Sequence, residues 1–202
     1  MKHIIPFKKD INYKIGVFTI KEASKFYTDF IKRNNYYEID DYSYHTNYEL
    51  KSKINYFDDN DFDTYWTSKK YNETCRLFIA YDDKDIFGIG KFAFWDSSQK
   101  FSVSYVSTNK DFFKQGVSKN LLNKIFEYFS KTYPTETLFF SGYSIDGWSY
   151  LRKYILEISE KYNVKISEKG IEYPGLSGKF SKEDYELMSK SRKEINKKYG
   201  DI

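Results

Sequence analysis

Phe101-Ser-Val-Ser-Tyr-Val-Ser-Thr108 runs, through Asn109-Lys-Asp-Phe-Phe113, into Lys114-Gln-Gly-Val-Ser-Lys119 and then Asn120-Leu-Leu-Asn-Lys-Ile-Phe-Glu-Tyr-Phe129. The first segment alternates apolar and polar residues, as a half-buried strand does. In the last, Val117, Leu121, Leu122, Ile125, Phe126 and Phe129 recur at three- and four-residue spacing, the mark of one apolar helix face. The short polar loop and Gly116 between them give the plan strand, glycine turn, helix.

This plan has a chemical use. The first N–H groups of a helix have no partner inside it and point outward from its positive end. A glycine there lets phosphate oxygens come close to the main chain. Gln115, Gly116, Val117 and Ser118 then form a candidate pyrophosphate cradle, with Ser118 adding a hydroxyl donor and Lys119 a cation. The alternative from these residues alone is an ordinary strand–helix turn that contains one glycine.

Upstream, Tyr13 to Ile20 reads as a strand. Thr19 and Glu22 have capping-box spacing ahead of a helix whose apolar stripe is Ala23, Phe26, Tyr27, Phe30 and Ile31, ending near Asn34-Asn35. A second helix is expected over Thr46 to Tyr56. Cys75 to Tyr81 and Ile86 to Trp95 read as a hairpin about Asp82-Asp83-Lys84-Asp85. Gly88 and Gly90 lack the third glycine and the following helix of a dinucleotide fingerprint, so that reading is excluded. Asp96 to Lys100 turns the chain into the strand at Phe101.

Downstream, Pro134 ends the helix and Thr137 to Phe140 has the apolar character of a buried strand. Pairing parallel to the Phe101 strand requires the intervening helix as its crossover. Trp148, Leu151, Ile155, Ile158 and Tyr162 give the next helix its stripe, and Val164 to Ile166 is a further short strand. Gly170 to Gly178 reads as a loop. Ser181 and Asp184 cap a last helix running to Lys198, which is basic at its end through Lys190, Arg192, Lys193, Lys197 and Lys198. This helix end is read as a solvated terminus, its cations favourably placed at the negative end of the dipole.

The central stretch resembles motif A of the GNAT N-acetyltransferase superfamily, in which a strand leads into (Arg/Gln)-x-x-Gly-x-(Gly/Ala) and a helix bearing a Leu-Leu pair. Here the counterpart is Phe113-Lys114-Gln115-Gly116-Val117-Ser118, then Leu121-Leu122. Phe113 replaces the first Arg/Gln and Ser118 the second Gly/Ala. A second segment, Ser144 to Lys153, resembles the region where Asn-x-x-Ala leads into a helix carrying Tyr-x-Lys. Aligned on Lys153, it offers Ser144 and Gly147 to the cofactor, and Tyr150 is the candidate for the tyrosine. The resemblance covers roughly 13–166.

The resemblance implies an α/β (α+β) fold with a mixed, mostly antiparallel sheet flanked by helices and a parallel pair around an acetyl-CoA site. It implies acetyl transfer to an amine, with acetyl-CoA as cosubstrate. The main chain of Val106, Ser107 and Thr108 would hold the acetyl carbonyl and pantetheine arm, and Lys114 to Lys119 with Ser144, Gly147 and Lys153 would hold the rest. Tyr150 would protonate the leaving thiolate, with Tyr105 and Tyr143 as weaker candidates. The family often places a Glu on the central strand as base. Phe101 to Thr108 carries none, so the base is unassigned, with Asp96 and the Asp58 to Asp63 cluster as candidates. The acceptor is expected to be a small-molecule amine. The alternatives are a protein-directed acetyltransferase or a CoA-binding module without turnover.

Composition narrows the classes. With 33 basic and 29 acidic residues the net charge is only +4, a mixed surface that argues against nucleic acid as partner. Aromatic content of 21% points to a core in which Phe and Tyr take the places of Leu and Val. A single cysteine, Cys75, allows no intrachain disulfide and fits the cytoplasm; with only His3 and His45 beside it, a His/Cys zinc site is not expected. No apolar run is long enough to span a membrane, and Met1 to Asp10 is too weakly apolar for a secretory leader. One domain is expected over 1–166, with 167–202 as an accessory loop and basic helix. A homodimer is left open.

Overall fold

The computed structural model describes residues 12–33, 69–109, 112–140, 142–174 and 178–199. The expected helix over Thr46 to Tyr56 and the carboxylates from Asp58 to Asp63 lie outside them.

The sheet is built outward from β3 (Ile86–Trp95), which is buried from Ile86 through Phe94 and so is covered on both faces. It pairs antiparallel with β2 (Arg76–Tyr81) on one side and β4 (Lys100–Thr108) on the other. Beyond β2 lies β1 (Lys14–Phe18), also antiparallel. Beyond β4 lie β5 (Thr137–Phe140) and β7 (Lys165–Glu168), both parallel to their neighbours. The order β1-β2-β3-β4-β5-β7 is the mixed, mostly antiparallel sheet with a parallel part that the sequence led us to expect.

Helix α1 (Ile20–Arg33) opens with the expected capping box: Thr19 N–H and Oγ1 both donate to Glu22 Oε2 at 2.8 Å. With α2 (Lys69–Thr74), it covers one face of the sheet around Leu77, Ile79, Ile89 and Ala93. Helix α3 (Val117–Thr132) covers the other face, burying all six residues of its predicted stripe. Complete burial of one such aliphatic or aromatic side chain stabilises the fold by about 1.5–3 kcal/mol, so this face anchors the domain. Gly88 and Gly90 explain how α3 lies so close to β3. A Cβ on Gly88 would stand 2.6 Å from the Ser107 carbonyl oxygen and 2.9 Å from Val117, and one on Gly90 would stand 2.9 Å from Ile125.

The segment expected as one helix after Tyr143 is two, α4 (Ile145–Tyr150) and α5 (Arg152–Tyr162), with a turn at Leu151. Trp148, Ile155 and Ile158 are buried in the α3 core as the stripe required. Gly170 to Gly178 is not a plain loop. Within it β8 (Ile171–Tyr173) pairs parallel with β6 (Tyr143–Ser144), forming a second, two-stranded sheet. The last helix, α6 (Lys182–Tyr199), is capped by Ser181 and Asp184, with Ser181 N–H donating to Asp184 Oδ2 at 2.7 Å and Asp184 N–H to Ser181 Oγ at 3.1 Å. Its Ile195 joins the main core. No helix among the described residues is long and apolar enough to cross a membrane.

Candidate active site

β4 and β5 pair only at Phe101–Leu138, Ser102–Phe139 and Val103–Phe140. From Ser104 to Thr108, β4 runs on with no strand partner on its β5 side among the described residues. The same point is a bulge. Lys91 pairs with Tyr105 and Phe92 with Val103, so Ser104 is the extra residue. A bulge bends a strand and strengthens its twist, which turns β4 away from β5. The result is a stretch of β4 inside the sheet that no strand among the described residues covers on the β5 side, a place where an extended amide-bearing chain can lie against the strand.

This part of β4 ends at the start of α3. Thr108 Oγ1 and Ser118 Oγ are 2.5 Å apart, joining the last residue of β4 to the first turn of the helix. Gly116 is the N-cap in the left-handed conformation (φ 78°), and no side chain caps the helix. The first-turn N–H groups therefore keep their hydrogen-bonding capacity. A Cβ on Gly116 would meet nothing within 4 Å, so the space before the helix is open. Lys114 is also left-handed (φ 64°) and exposed, while the Gln115 carboxamide oxygen is buried in the loop. Val117 turns its side chain into the core and offers only its backbone. Lys119 reaches over the Tyr154 ring at 5.3 Å, linking the first turn of α3 to α5. Of the predicted site residues, Thr108 and Ser118 are thus brought into contact, with Gly116 and Val117 at the helix start beside them.

Ser144, Gly147, Tyr150 and Lys153 follow β5 in the chain, on β6, α4 and α5. Ser144 caps α4, accepting from Gly147 N–H at 3.0 Å. Tyr150 is the last residue of α4 rather than at a helix start, and is 74% exposed. Lys153 is exposed and lies 4.0 Å from Glu157. Of the other two tyrosines, Tyr143 is buried and donates its hydroxyl to Glu168 Oε1 at 2.9 Å. Tyr105 is held by burial, and next by the nearby Cys75, above the ordinary phenol range. Among the described residues, no group of three or more His, Cys, Asp or Glu side chains is placed to hold a metal. Asp96 lies exposed in the turn before β4.

Three features here were not read from the sequence. Glu168, fully buried, accepts from Tyr143 and, at 3.0 Å, from Arg152 Nε; Arg152 also lies over the Trp148 ring. This knot fixes the β5-side wall by tying β7, β6 and α5 together. Lys91 is buried on the α1 face of β3 near the rings of Tyr71 and Trp95, and desolvation pushes its ammonium below the usual lysine range. Ser104 is the third. A buried serine or glutamate within an otherwise ordinary strand carries no periodic signal. A separate shallow cleft of about 320 Å³, lined by Asn12, Tyr13, Ile15, Asn120, Asn123 and Lys124, lies between the β1 end and α3; its residues are not those of the parting.

The sheet order, mixed and mostly antiparallel with a parallel part, is the one that the sequence resemblance implied. Solved structures similar to this chain include N-acetyltransferases. An aminoglycoside acetyltransferase from an uncultured soil metagenomic sample, in complex with sisomicin, is 15% identical over 74% of this chain and 86% of its own, with a TM-score of 0.37. AAC(6')-Iy with a CoA bisubstrate analogue is 14% identical over 81% and 97%, at 0.39. A ribosomal-protein-alanine N-acetyltransferase from Brucella melitensis biovar Abortus 2308 is 11% identical over 68% and 84%, at 0.38. Likeness this low carries no functional argument. No protein-family model matches the chain, and no curated protein sequence matches it.

Proposed function

We propose that the protein is an acetyl-CoA-dependent N-acetyltransferase acting on a small-molecule amine in the cytoplasm. The observation that carries this is the end of β4–β5 pairing at Val103–Phe140, beyond which β4 runs on to the uncapped, glycine-started helix α3. An edge inside a sheet suits the two amides of a pantetheine arm, and an open helix start suits the pyrophosphate at its far end. The first-turn N–H groups at Gly116 to Lys119 bind the phosphates, with Lys114 and Lys119 adding charge. Main-chain groups of Val106, Ser107 and Thr108 pair with the arm. Ser144, Gly147 and Lys153 line the opposite wall.

The reaction needs a neutral amine to attack the thioester and a proton for the departing thiolate. Of the three tyrosines considered, Tyr150 has the hydroxyl-bearing ring at the surface, whereas Tyr105 is enclosed and Tyr143 is bonded to Glu168. Tyr150 is accordingly the proton donor in this reading. β4 supplies no carboxylate, and the base is not assigned to a side chain. The test is release of free CoA thiol from acetyl-CoA against a panel of polyamines, amino sugars, amino acids and peptides. Amine-dependent release supports the reading. Tight CoA binding with no release across the panel favours the CoA-binding module instead.

A further inference from the structure

The cleft of about 320 Å³ between the β1 end and α3 is lined by Asn12, Tyr13, Ile15, Asn120, Asn123 and Lys124. Asn120 N–H donates to the Gly116 carbonyl at 3.0 Å, so Asn120 stands one turn past the open helix start. Asn123 and Lys124 follow at three- and four-residue spacing and share its side of α3, away from the buried stripe. Neighbours orient the polar atoms of the cleft. Asn123 Oδ1 accepts from Lys161 Nζ and from the Tyr162 hydroxyl, each at 3.2 Å, which turns its amide N–H groups away from these α5 donors. Asn120 Nδ2 donates to the Tyr13 hydroxyl at 2.6 Å, leaving Asn120 Oδ1 as an acceptor and the Tyr13 proton as a donor. Lys124 and Lys131 share the single carboxylate of Glu127, at 2.9 and 2.7 Å, an excess of cation beside the cleft.

This chemistry suits a phosphorylated purine nucleoside. Asparagine carboxamides pair with adenine by accepting from its amino group and donating to a ring nitrogen. Ile15 gives the base an apolar surface, and the volume lies at the small end of the roughly 300–1,000 Å³ common in ligand sites. We propose that the cleft binds the adenosine 3′-phosphate end of CoA, with Asn120 and Asn123 on the adenine and Lys124 beside the 3′-phosphate. The inference rests on the acetyltransferase reading above and gives the bound cofactor a direction. From the helix start it turns back along α3 toward β1, not toward α5, where Lys119 lies over Tyr154.

The first test is titration of adenosine 3′,5′-bisphosphate into ¹⁵N-labelled protein. The side-chain amide signals of Asn120 and Asn123 should shift and saturate together with the Gly116 to Ser118 backbone signals. The second is calorimetry with CoA and with 4′-phosphopantetheine, which lacks the nucleotide. Asn123→Ala should weaken CoA about 3- to 10-fold, the value of a hydrogen bond or two, and leave 4′-phosphopantetheine unchanged. Asn120→Trp, at an exposed position, should fill the cleft and weaken CoA further with the same selectivity. Lys124→Ala should weaken CoA and spare 3′-dephospho-CoA. The ratio of the two affinities in each variant separates a lost contact from a damaged fold, which would weaken both ligands alike and overturn the proposal. So would unmoved Asn120 and Asn123 signals in a protein that binds CoA, AMP binding as tight as that of CoA, or a fall in the ratio in Tyr154→Ala and not in the cleft variants. In each of these cases the acetyltransferase reading stands. Failure of the parent to bind CoA or acetyl-CoA overturns that reading, and this inference with it.

Discussion

Thr108 and Ser118 share a 2.5 Å hydrogen bond between hydroxyls, so the end of β4 and the start of α3 are held in one geometry. Either atom can be the donor, which leaves the other hydroxyl proton available to an anion. Replacing Thr108 with Val removes the bond and keeps the side-chain shape. It is expected to lower stability by about 0.5–1.5 kcal/mol in urea titrations, with a weaker response of melting temperature to CoA. A variant that keeps the parent's CoA response would show that the tie has no part in the site.

Gly88 and Gly116 are expected to fail in different ways. Gly88→Ala sets a Cβ against the Ser107 carbonyl oxygen and the Val117 side chain, and overpacking of this kind typically costs about 1–3 kcal/mol. Gly116→Ala meets no atom, but its left-handed backbone adds about 1–2 kcal/mol of strain. Thermal unfolding should rank both below the parent. Comparable losses of stability should accompany loss of CoA binding in Gly116→Ala beyond that in Gly88→Ala.

Glu168 is the buried centre of the knot that walls the parting. Glu168→Ala leaves the Arg152 guanidinium and the Tyr143 hydroxyl without their acceptor, and breaking a buried pair in this way costs about 3–5 kcal/mol. Arg152 keeps some exposure and a second partner, Glu194, at 3.6 Å, so the lower end of that range is expected by chemical denaturation.

Alkaline pH should destabilise the α1 face. Burial holds Tyr71 and Tyr105 above their ordinary value of 10.0, and Cys75 above 9.0. These groups stay protonated in the folded chain while the unfolded chain ionises, so their contribution is intact below the unfolded values and falls away as pH rises past them. Lys91, lowered from 10.5 by desolvation, acts in the opposite sense, because neutralising it relieves its burial. Three groups outweigh one, and stability should decline above roughly pH 9–10. Tyr105→Phe should flatten that decline; an unchanged slope would contradict the assignment.

Tyr150→Phe removes one exposed hydroxyl and little packing. If Tyr150 protonates the thiolate, kcat should fall about 100- to 10,000-fold while CoA affinity stays as in the parent. Equal turnover in the two proteins would exclude it.

The legibility of the chain followed its periodicity. The α3 stripe was readable because all six residues face one packed surface, and the Thr19–Glu22 and Ser181–Asp184 caps because they are local in sequence. β8 was not, since a three-residue strand in a Gly- and Pro-containing segment owes its existence to distant β6. The alternation in Phe101 to Thr108 was itself misleading at one point. Strict alternation puts Phe101, Val103 and Tyr105 on one face, whereas the Ser104 bulge sends Tyr105 to the α1 side and Val106 to the α3 side. The local rule breaks at the residue where the sheet opens, as strained or functional positions tend to do. Tyr150 and Lys153 came from motif likeness, and their exposed positions add no contact that fixes a role.

Calorimetric titration of acetyl-CoA into the parent protein and into Gly116→Val tests the central claim most directly. The account expects one site per chain in the parent and loss of binding in the variant, whose branched side chain fills the open space before α3. A circular-dichroism spectrum matching the parent would show that the variant keeps its fold. Absence of binding by the parent at millimolar acetyl-CoA, or equal binding by a folded Gly116→Val, would contradict it.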